Sequence, residues 1–456
     1  MAKTYDLTKG KVSSIILKFF FPMLFTNMLQ QLYTIADTAI VGKGLGDNAL
    51  AAVGNMSSLT FLIIGFSLGL SNGFSVSIAQ NYGAKNYTQM KKAIASSVKL
   101  SFVIAILLTT ISVVFLNPVL IMLQTDKSIL KDSLIYGYII FGGLASTIAY
   151  NLCACILRAL GDSKTPFIAI ITSTIINIVL NCVFIFGFKT GVEGAAVATI
   201  FAQVVSAFIC FKRLKKIEII RLTAQDFKTD LALYAELFRN GLPMALMNSI
   251  TAVGCMVIQY FVNGLGVAYT SAYSACSKYI NLFMQPACTA GFAMSSFTSQ
   301  NYGAGQYFRI KEGLKVCLSI ALTTYIVFGS VMFFFPETLA KIMLSGDEQI
   351  ALAAQYLPVC GIMIFAVDFL FVFRSGVQAM GRPFIPMISG IVEMVMRVVV
   401  IVTFVSERGF ITTAYAEILA WLAALLLNSF AFIIYLRSNL KDKRNLNIQI
   451  QAAINH

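Results

Sequence analysis

The chain has 456 residues, 58% hydrophobic and only 12% charged, with a formal net charge of +14. A soluble domain carries about a quarter charged residues, so a chain this apolar could not cover a soluble surface, and that class is excluded. The basic residues sit in short loops between apolar runs, where positive charge fixes membrane orientation. No basic face interleaved with aromatics stands outside the runs, which excludes nucleic acid as a partner.

In chain order, lysines at the N-terminus precede an apolar run, 14–41, that is too long for the core of a signal peptide and has no small-residue cleavage site. It reads as the first span. Further runs fall near 50–79, 93–117, 132–157, 166–188 and 192–211. A charged stretch follows at 212–235, then runs near 237–263, 268–299, 313–335, 350–373, 384–405 and 410–436. Each is long enough to cross a hydrocarbon core of ~30 Å as a helix. Strands of a barrel would show alternating segments of about 10 residues instead. The predicted fold is an all-α polytopic membrane protein of twelve transmembrane helices. Residues 1–211 form an N-terminal six-helix lobe, 212–235 a cytoplasmic linker, 236–437 a C-terminal six-helix lobe and 438–456 a cytoplasmic tail.

With this count, 23 lysines and arginines fall on one side of the membrane and 6 on the other. The richer side holds Lys3, Lys9 and Lys11, the linker, and Arg437, Lys441, Lys443 and Arg444 of the tail. Both termini are therefore expected in the cytoplasm.

Gln80-Asn81-Tyr82-Gly83-Ala84 returns as Gln300-Asn301-Tyr302-Gly303-Ala304, a shift of 220 positions. At that shift Gly44-Leu45-Gly46 meets Gly264-Leu265-Gly266, and Lys91 meets Lys311. Matches at one shift, each at the same place relative to an apolar run, mark two copies of one unit. Six spans per copy give both copies the same orientation, a parallel repeat. The pentapeptide is expected to close the second helix of each half. Pro22 and Pro243 stand early in spans 1 and 7, as hinges or packing kinks, and Pro118 and Pro336 end spans 3 and 9.

The nine cysteines all lie in apolar runs without a CxxC pair, which leaves zinc and redox motifs unsupported and no cofactor implied. The sole histidine is His456, so a membrane-embedded histidine or metal enzyme is disfavoured.

A charge inside a span costs at least ~2.5–3.5 kcal/mol and needs a partner or a job. Seven such residues stand out: Asp37, Lys278, Asp368, Arg374, Glu393, Arg397 and Glu417. Asp37 follows Tyr33 by four residues, on one helix face. Asn177 and Asn181 of span 5 are likewise four apart, and Thr199 lies in span 6. No basic residue is near Asp37 in sequence. The carboxylate could take up a proton, ligate Na⁺ with oxygens from the asparagines, or simply be solvated near the outer interface. In the second half, Glu393 and Arg397 are four apart, a good helical ion pair. Arg374 is read as snorkelling toward the cytoplasmic end. Lys278 and Glu417 have no partner nearby in sequence; Lys278 is a candidate to pair with Asp368 or Glu393. Asp37 falls opposite an apolar residue of the second copy, so the lobes are not expected to share one chemistry. Phe283, Met284, Phe292 and Met294 in span 8 are side chains of the kind that make adaptable surfaces for apolar ligands.

The twelve spans, with ADTAIVGKGLG (residues 36–46), LRALGDSKTPF (157–167) and GVEGAAVAT (191–199), resemble the multidrug and toxic compound extrusion family over nearly the whole chain. The resemblance implies a secondary transporter, not an enzyme. Such a protein would export organic cations and other amphipathic, drug-like small molecules by antiport with H⁺ or Na⁺ through alternating access of two lobes. It would be an inner-membrane protein acting as a monomer. It implies an N-lobe cation site on Tyr33, Asp37, Asn177, Asn181 and Thr199, and span-1 bending at Pro22. Asn181 stands where some members have a second aspartate. Asp368 matches the span-10 acid of members with a C-lobe cation site, and Thr251 stands where those members have a glutamate. A possible C-lobe polar site comprises Lys278, Asp368, Glu393, Arg397 and Glu417. The alternatives are a lipid-linked oligosaccharide flippase of the wider superfamily and, from other classes, a membrane enzyme or a channel.

Overall fold

The computed structural model describes residues 6–123, 125–228 and 231–454. Lys3 and His456 lie outside these, as do the side chains of Arg408 and Arg444. Every long element among the described residues is helical, because within lipid a helix is the segment that pairs all its own backbone groups. In the first half these are α1 (Val12–Leu45), α2 (Asp47–Gly83), α3 (Tyr87–Met122), α4 (Lys127–Gly142), α5 (Leu144–Ala159), α6 (Lys164–Cys182) and α7 (Val192–Lys215). The second half has α8 (Leu231–Leu265), α9 (Val267–Phe283), α10 (Gln285–Gly303), α11 (Tyr307–Thr324), α12 (Ser330–Phe334), α13 (Pro336–Met343), α14 (Asp347–Ala379), α15 (Phe384–Arg408) and α16 (Thr412–Ile454).

Ten helical segments are long and apolar enough to cross a membrane, and the pair α4–α5, bent by 45° at Gly143, makes an eleventh. The twelfth crossing is α9–α10, which is interrupted at Met284 and too polar to qualify by composition. Pro118 does not end its helix: α3 runs on to Met122. Pro336 does mark a break, standing as the first residue of α13, where a missing N–H costs nothing. Single π-turns occupy 183–187 after α6 and 325–329 after α11.

The chain forms two compact units, one of residues 1–6 and 21–245, the other of 7–20 and 246–456. Thus α1 begins in the second unit and continues in the first, and α8 begins in the first and continues in the second. Gly69 and Gly73 of α2 allow the early part of α8 to approach closely: a Cβ on Gly69 would stand 2.5 Å from the Ala245 Cα. Small residues four apart are a common means of close helix approach in lipid. In the second unit, α9, α14, α16 and the turn at 409–411 bury Tyr273, Tyr356, Leu357, Phe410 and Trp421 in one apolar core.

The repeated pentapeptide does close α2 and α10. The Ala84 and Ala304 N–H groups donate to the Gln80 and Gln300 carbonyls. The next residue is left-handed in both copies, Lys85 at φ 58° and Gly305 at φ 65°; that conformation costs a residue with a Cβ and is free for glycine. The second copy also pins the segment before α1. Gln300 Oε1 accepts from the Leu7 N–H at 2.9 Å, Asn301 Nδ2 donates to the Leu7 carbonyl at 3.3 Å, and Arg309 Nη1 donates to that of Gly10 at 2.9 Å. In the first copy, Ser77 Oγ donates to Glu236 Oε1 on α8 at 2.6 Å. All nine cysteines are free thiols, five of them buried as packing residues.

Candidate functional site

Five polar side chains meet in the first unit. Tyr33 and Asp37 lie one turn apart on α1, Asn177 and Asn181 one turn apart on α6, and Thr199 on α7. Thr199 Oγ1 accepts from the Tyr33 hydroxyl at 3.3 Å and from Asn177 Nδ2 at 3.4 Å. Asn181 Nδ2 uses both its hydrogens, one toward Asp37 Oδ1 at 2.6 Å and one toward Asn177 Oδ1 at 2.8 Å. The two asparagines are fully buried, and Asp37 is 9% exposed. No ion pair among the described residues engages Asp37. The Asn181 carbonyl oxygen is buried without a hydrogen-bond partner among them. The π-turn begins two residues after Asn181, and such single turns often mark functional positions in a helix.

Tyr136 of α4 is a sixth member that the sequence reading missed. It is buried and close enough to Asp37 and Tyr33 to interact with both electrostatically. A lone tyrosine in an apolar run carries no spacing signal.

The five hydrogen-bonded side chains offer oxygen ligands only: one carboxylate, two amide carbonyls and two hydroxyls. Hard cations take such ligands. The single carboxylate balances one positive charge, and no group of three or more His, Cys, Asp or Glu that could hold a metal occurs among the described residues. The set therefore suits a monovalent cation better than a divalent one, which draws on several carboxylates.

The second unit is built differently. Arg374 of α14 donates to Glu393 of α15. Arg397, one turn further along α15, lies 3.6 Å from Glu393 and donates through Nε and Nη2 to Glu417 Oε2 of α16 at 3.0 and 2.9 Å. Arg374 therefore does not snorkel: it is buried, at 7% exposure, against Glu393. Glu417 has a partner after all, across the helix interface. Lys278 pairs with neither Asp368 nor Glu393: no ion pair among the described residues includes it, and its side chain is exposed on α9. Asp368 is fully buried, and among the described residues neither of its oxygens is hydrogen-bonded. The five residues named for this lobe thus divide into a closed ion-pair quartet containing three of them, one buried acid, and one exposed base.

The shift of 220 aligns Asn177 with Arg397, Asp37 with Val257 and Tyr33 with Val253. Where the first copy places a neutral amide, the second places a guanidinium already held by two carboxylates. This signal was present in the sequence once the shift was known.

A duplicated six-helix unit with polar clusters sealed inside its spans defines a multi-pass membrane transporter. A family model described as MatE matches the chain twice, over 22–183 and 243–403, the two matches beginning at Pro22 and Pro243. The probable multidrug resistance protein YoeA of Bacillus subtilis is 30% identical, over 78% of this chain and 78% of that one. The probable multidrug resistance protein NorM of Thermotoga maritima is 26% identical over 84% of each chain. A crystal structure of MATE in the bent conformation superposes with a TM-score of 0.90 at 21% identity, covering 96% of this chain and 99% of that one. The chain belongs to the MatE family, whose members are transporters and not enzymes.

Proposed function

We propose that this protein is a secondary active efflux transporter that exports amphipathic, drug-like compounds, organic cations among them, in exchange for H⁺ or Na⁺. The observation that carries the reading is the Asp37 cluster: a carboxylate sealed in a span, engaged by an amide and, among the described residues, by no base. The names of the relatives, multidrug resistance proteins, support the export of varied compounds. The excess of basic residues in alternate loops supports an orientation with both termini cytoplasmic; in this proposal the protein is an inner-membrane monomer working by alternating access of its lobes.

In this reading Asp37 supplies the charge that attracts the ion, Asn181 holds the carboxylate in register, and Thr199 with Tyr33 closes the oxygen shell. Binding a monovalent cation neutralises the cluster, while loss of the cation leaves a buried charge, so the two states differ in energy and favour different packings of α1. Pro22 gives α1 a place to bend. It has no N–H to donate along the helix, and α1 passes from one unit to the other beside it, between Phe20 and Phe21. Pro243 stands in the same relation to α8, which passes between Ala245 and Leu246. Both prolines are hinges in this proposal.

Asp37→Asn keeps the side-chain volume and removes the charge. Cells making this variant at normal level should accumulate ethidium as cells without the protein do; undiminished export would reject the reading. Proteoliposomes given either a pH or a Na⁺ gradient identify the coupling ion.

A further inference from the structure

The span α9–α10 matches α2 end for end at the shift of 220: Asp47–Gly83 against Val267–Gly303. The two copies make the same helical crossing from different surfaces. Ser274, Lys278 and Asn281 follow one another at intervals of 4 and 3 residues, one stripe along α9, and Gln285, four further on, opens α10. Lys278 and Asn281 are exposed and Ser274 and Gln285 half-buried, while Tyr273, Cys276, Tyr279 and Ile280 on the other side are buried. The first copy has Gly54, Ser58, Phe61 and Gly65 at the matching positions, with Phe61 66% exposed. The fold therefore does not require a polar stripe here, since its twin is built without one.

Within the stripe the amides are bonded along the helix, Asn281 Nδ2 to Ser277 Oγ at 3.3 Å and Gln285 Nε2 to the Asn281 carbonyl at 3.3 Å. Lys278 has no ion pair among the described residues. Of the acids buried in its own unit's spans, Glu393 and Glu417 are paired with arginines and Asp368 is fully buried. Lys278 stands eleven residues into α9, roughly 17 Å along the helix. An uncompensated ammonium at such depth is too costly to face lipid and faces water instead.

We infer that Lys278, with Asn281 and Gln285 beside it, binds the acidic group, carboxylate or phosphate, of an amphipathic organic solute carried by this transporter. An ammonium attracts such a group as a point charge, and the neighbouring amides supply further donors. Exposed Leu282 on the same turn gives the solute's apolar part a place to lie. The inference rests on the transport reading only for calling the solute cargo; the site stands on its own geometry.

The test is equilibrium binding of carboxyfluorescein, a fluorescent organic anion, to the full chain in nanodiscs without any ion gradient, read by anisotropy. A failure of ion coupling at Asp37 therefore leaves its result unaffected. Lys278→Gln should weaken binding about tenfold or more, as loss of a charged hydrogen-bond donor does. Lys278→Arg should restore it, and both variants should melt at the wild-type temperature. Wild-type affinity in Lys278→Gln overturns the inference, as does absence of measurable binding by the wild type. Equal binding in phosphatidylcholine discs with and without phosphatidylglycerol is expected. Loss of binding in the phosphatidylglycerol discs would assign the site to lipid headgroups and overturn the role in cargo recognition.

Discussion

Replacing Arg397 by Met tests the logic of the second unit most directly. Arg397 is 2% exposed and makes two bonds to Glu417 near 3.0 Å, with Glu393 at 3.6 Å. The quartet holds two guanidiniums and two carboxylates and is neutral. Removing Arg397 leaves Glu417 buried without a counter-charge. Breaking a buried pair from one side costs about 3–5 kcal/mol, whereas removing both partners is often close to neutral. For a chain of this size the single variant should melt roughly 3–5 °C lower in detergent. The chain carries its own probe: Trp421, the only tryptophan, is buried on α16 one turn after Glu417. Its fluorescence during heating reports the packing around the quartet. Adding Glu417→Gln to Arg397→Met should recover at least half the loss, since the cost lies in the orphaned carboxylate. If Arg397→Met melts like the wild type, or the double variant melts no higher than the single, the quartet is not the energetic unit described above.

Other perturbations follow the same physics. Asn181→Ala removes the 2.6 Å bond to Asp37; the half-saturating concentration of coupling ion in a transport assay should shift about tenfold or more, and an unchanged value would remove Asn181 from the site. Asp368→Leu replaces a buried carboxylate without hydrogen-bond partners by a side chain of similar size, and should raise stability by about 1–3 kcal/mol, checked by thermal melting; a lower melting temperature would reveal a stabilising partner. Gly73→Val drives two methyl groups into the backbone of Asn240 and Gly241 and should cost about 1–3 kcal/mol, where the same change at Gly65, with open space around it, should not. In the linker, the Thr223 backbone N–H, donating to Asp226 at 2.7 Å, holds that carboxyl below its usual range. A depressed value means the turn is supported above the ordinary pKa of about 4 and loses support as pH falls through the lower one. Exchange of the Thr223 amide should therefore quicken relative to its neighbours only in acid, and Asp226→Asn should remove that pH dependence.

The sequence disclosed what is local or periodic. Apolar runs marked the spans because lipid forces the backbone into helices, and the shift of 220 marked the duplication because two copies kept the same helix ends. Tyr33 with Asp37, and Asn177 with Asn181, were legible because a spacing of four puts two side chains on one helix face. Contacts between helices left no such trace. Arg374 reaches Glu393 and Arg397 reaches Glu417 across 19 and 20 residues, and nothing in the intervening chain announces those pairs. Tyr136 joins the Asp37 cluster from α4 on the strength of packing alone. The breaks at Gly143 and Met284 were hidden as well, since an apolar run reads the same whether its helix is straight or interrupted.

The neutrality of the quartet has an electrical consequence. A transmembrane voltage does work only on charge that moves through it, about 2.3 kcal/mol per elementary charge per 100 mV. Two guanidiniums and two carboxylates locked together present no net charge for the field to pull, however their helices shift. Sensitivity to membrane potential should then reside elsewhere in the chain: at Asp37, whose charge depends on what it holds, and at Lys278, whose charge is balanced by no ion pair among the described residues.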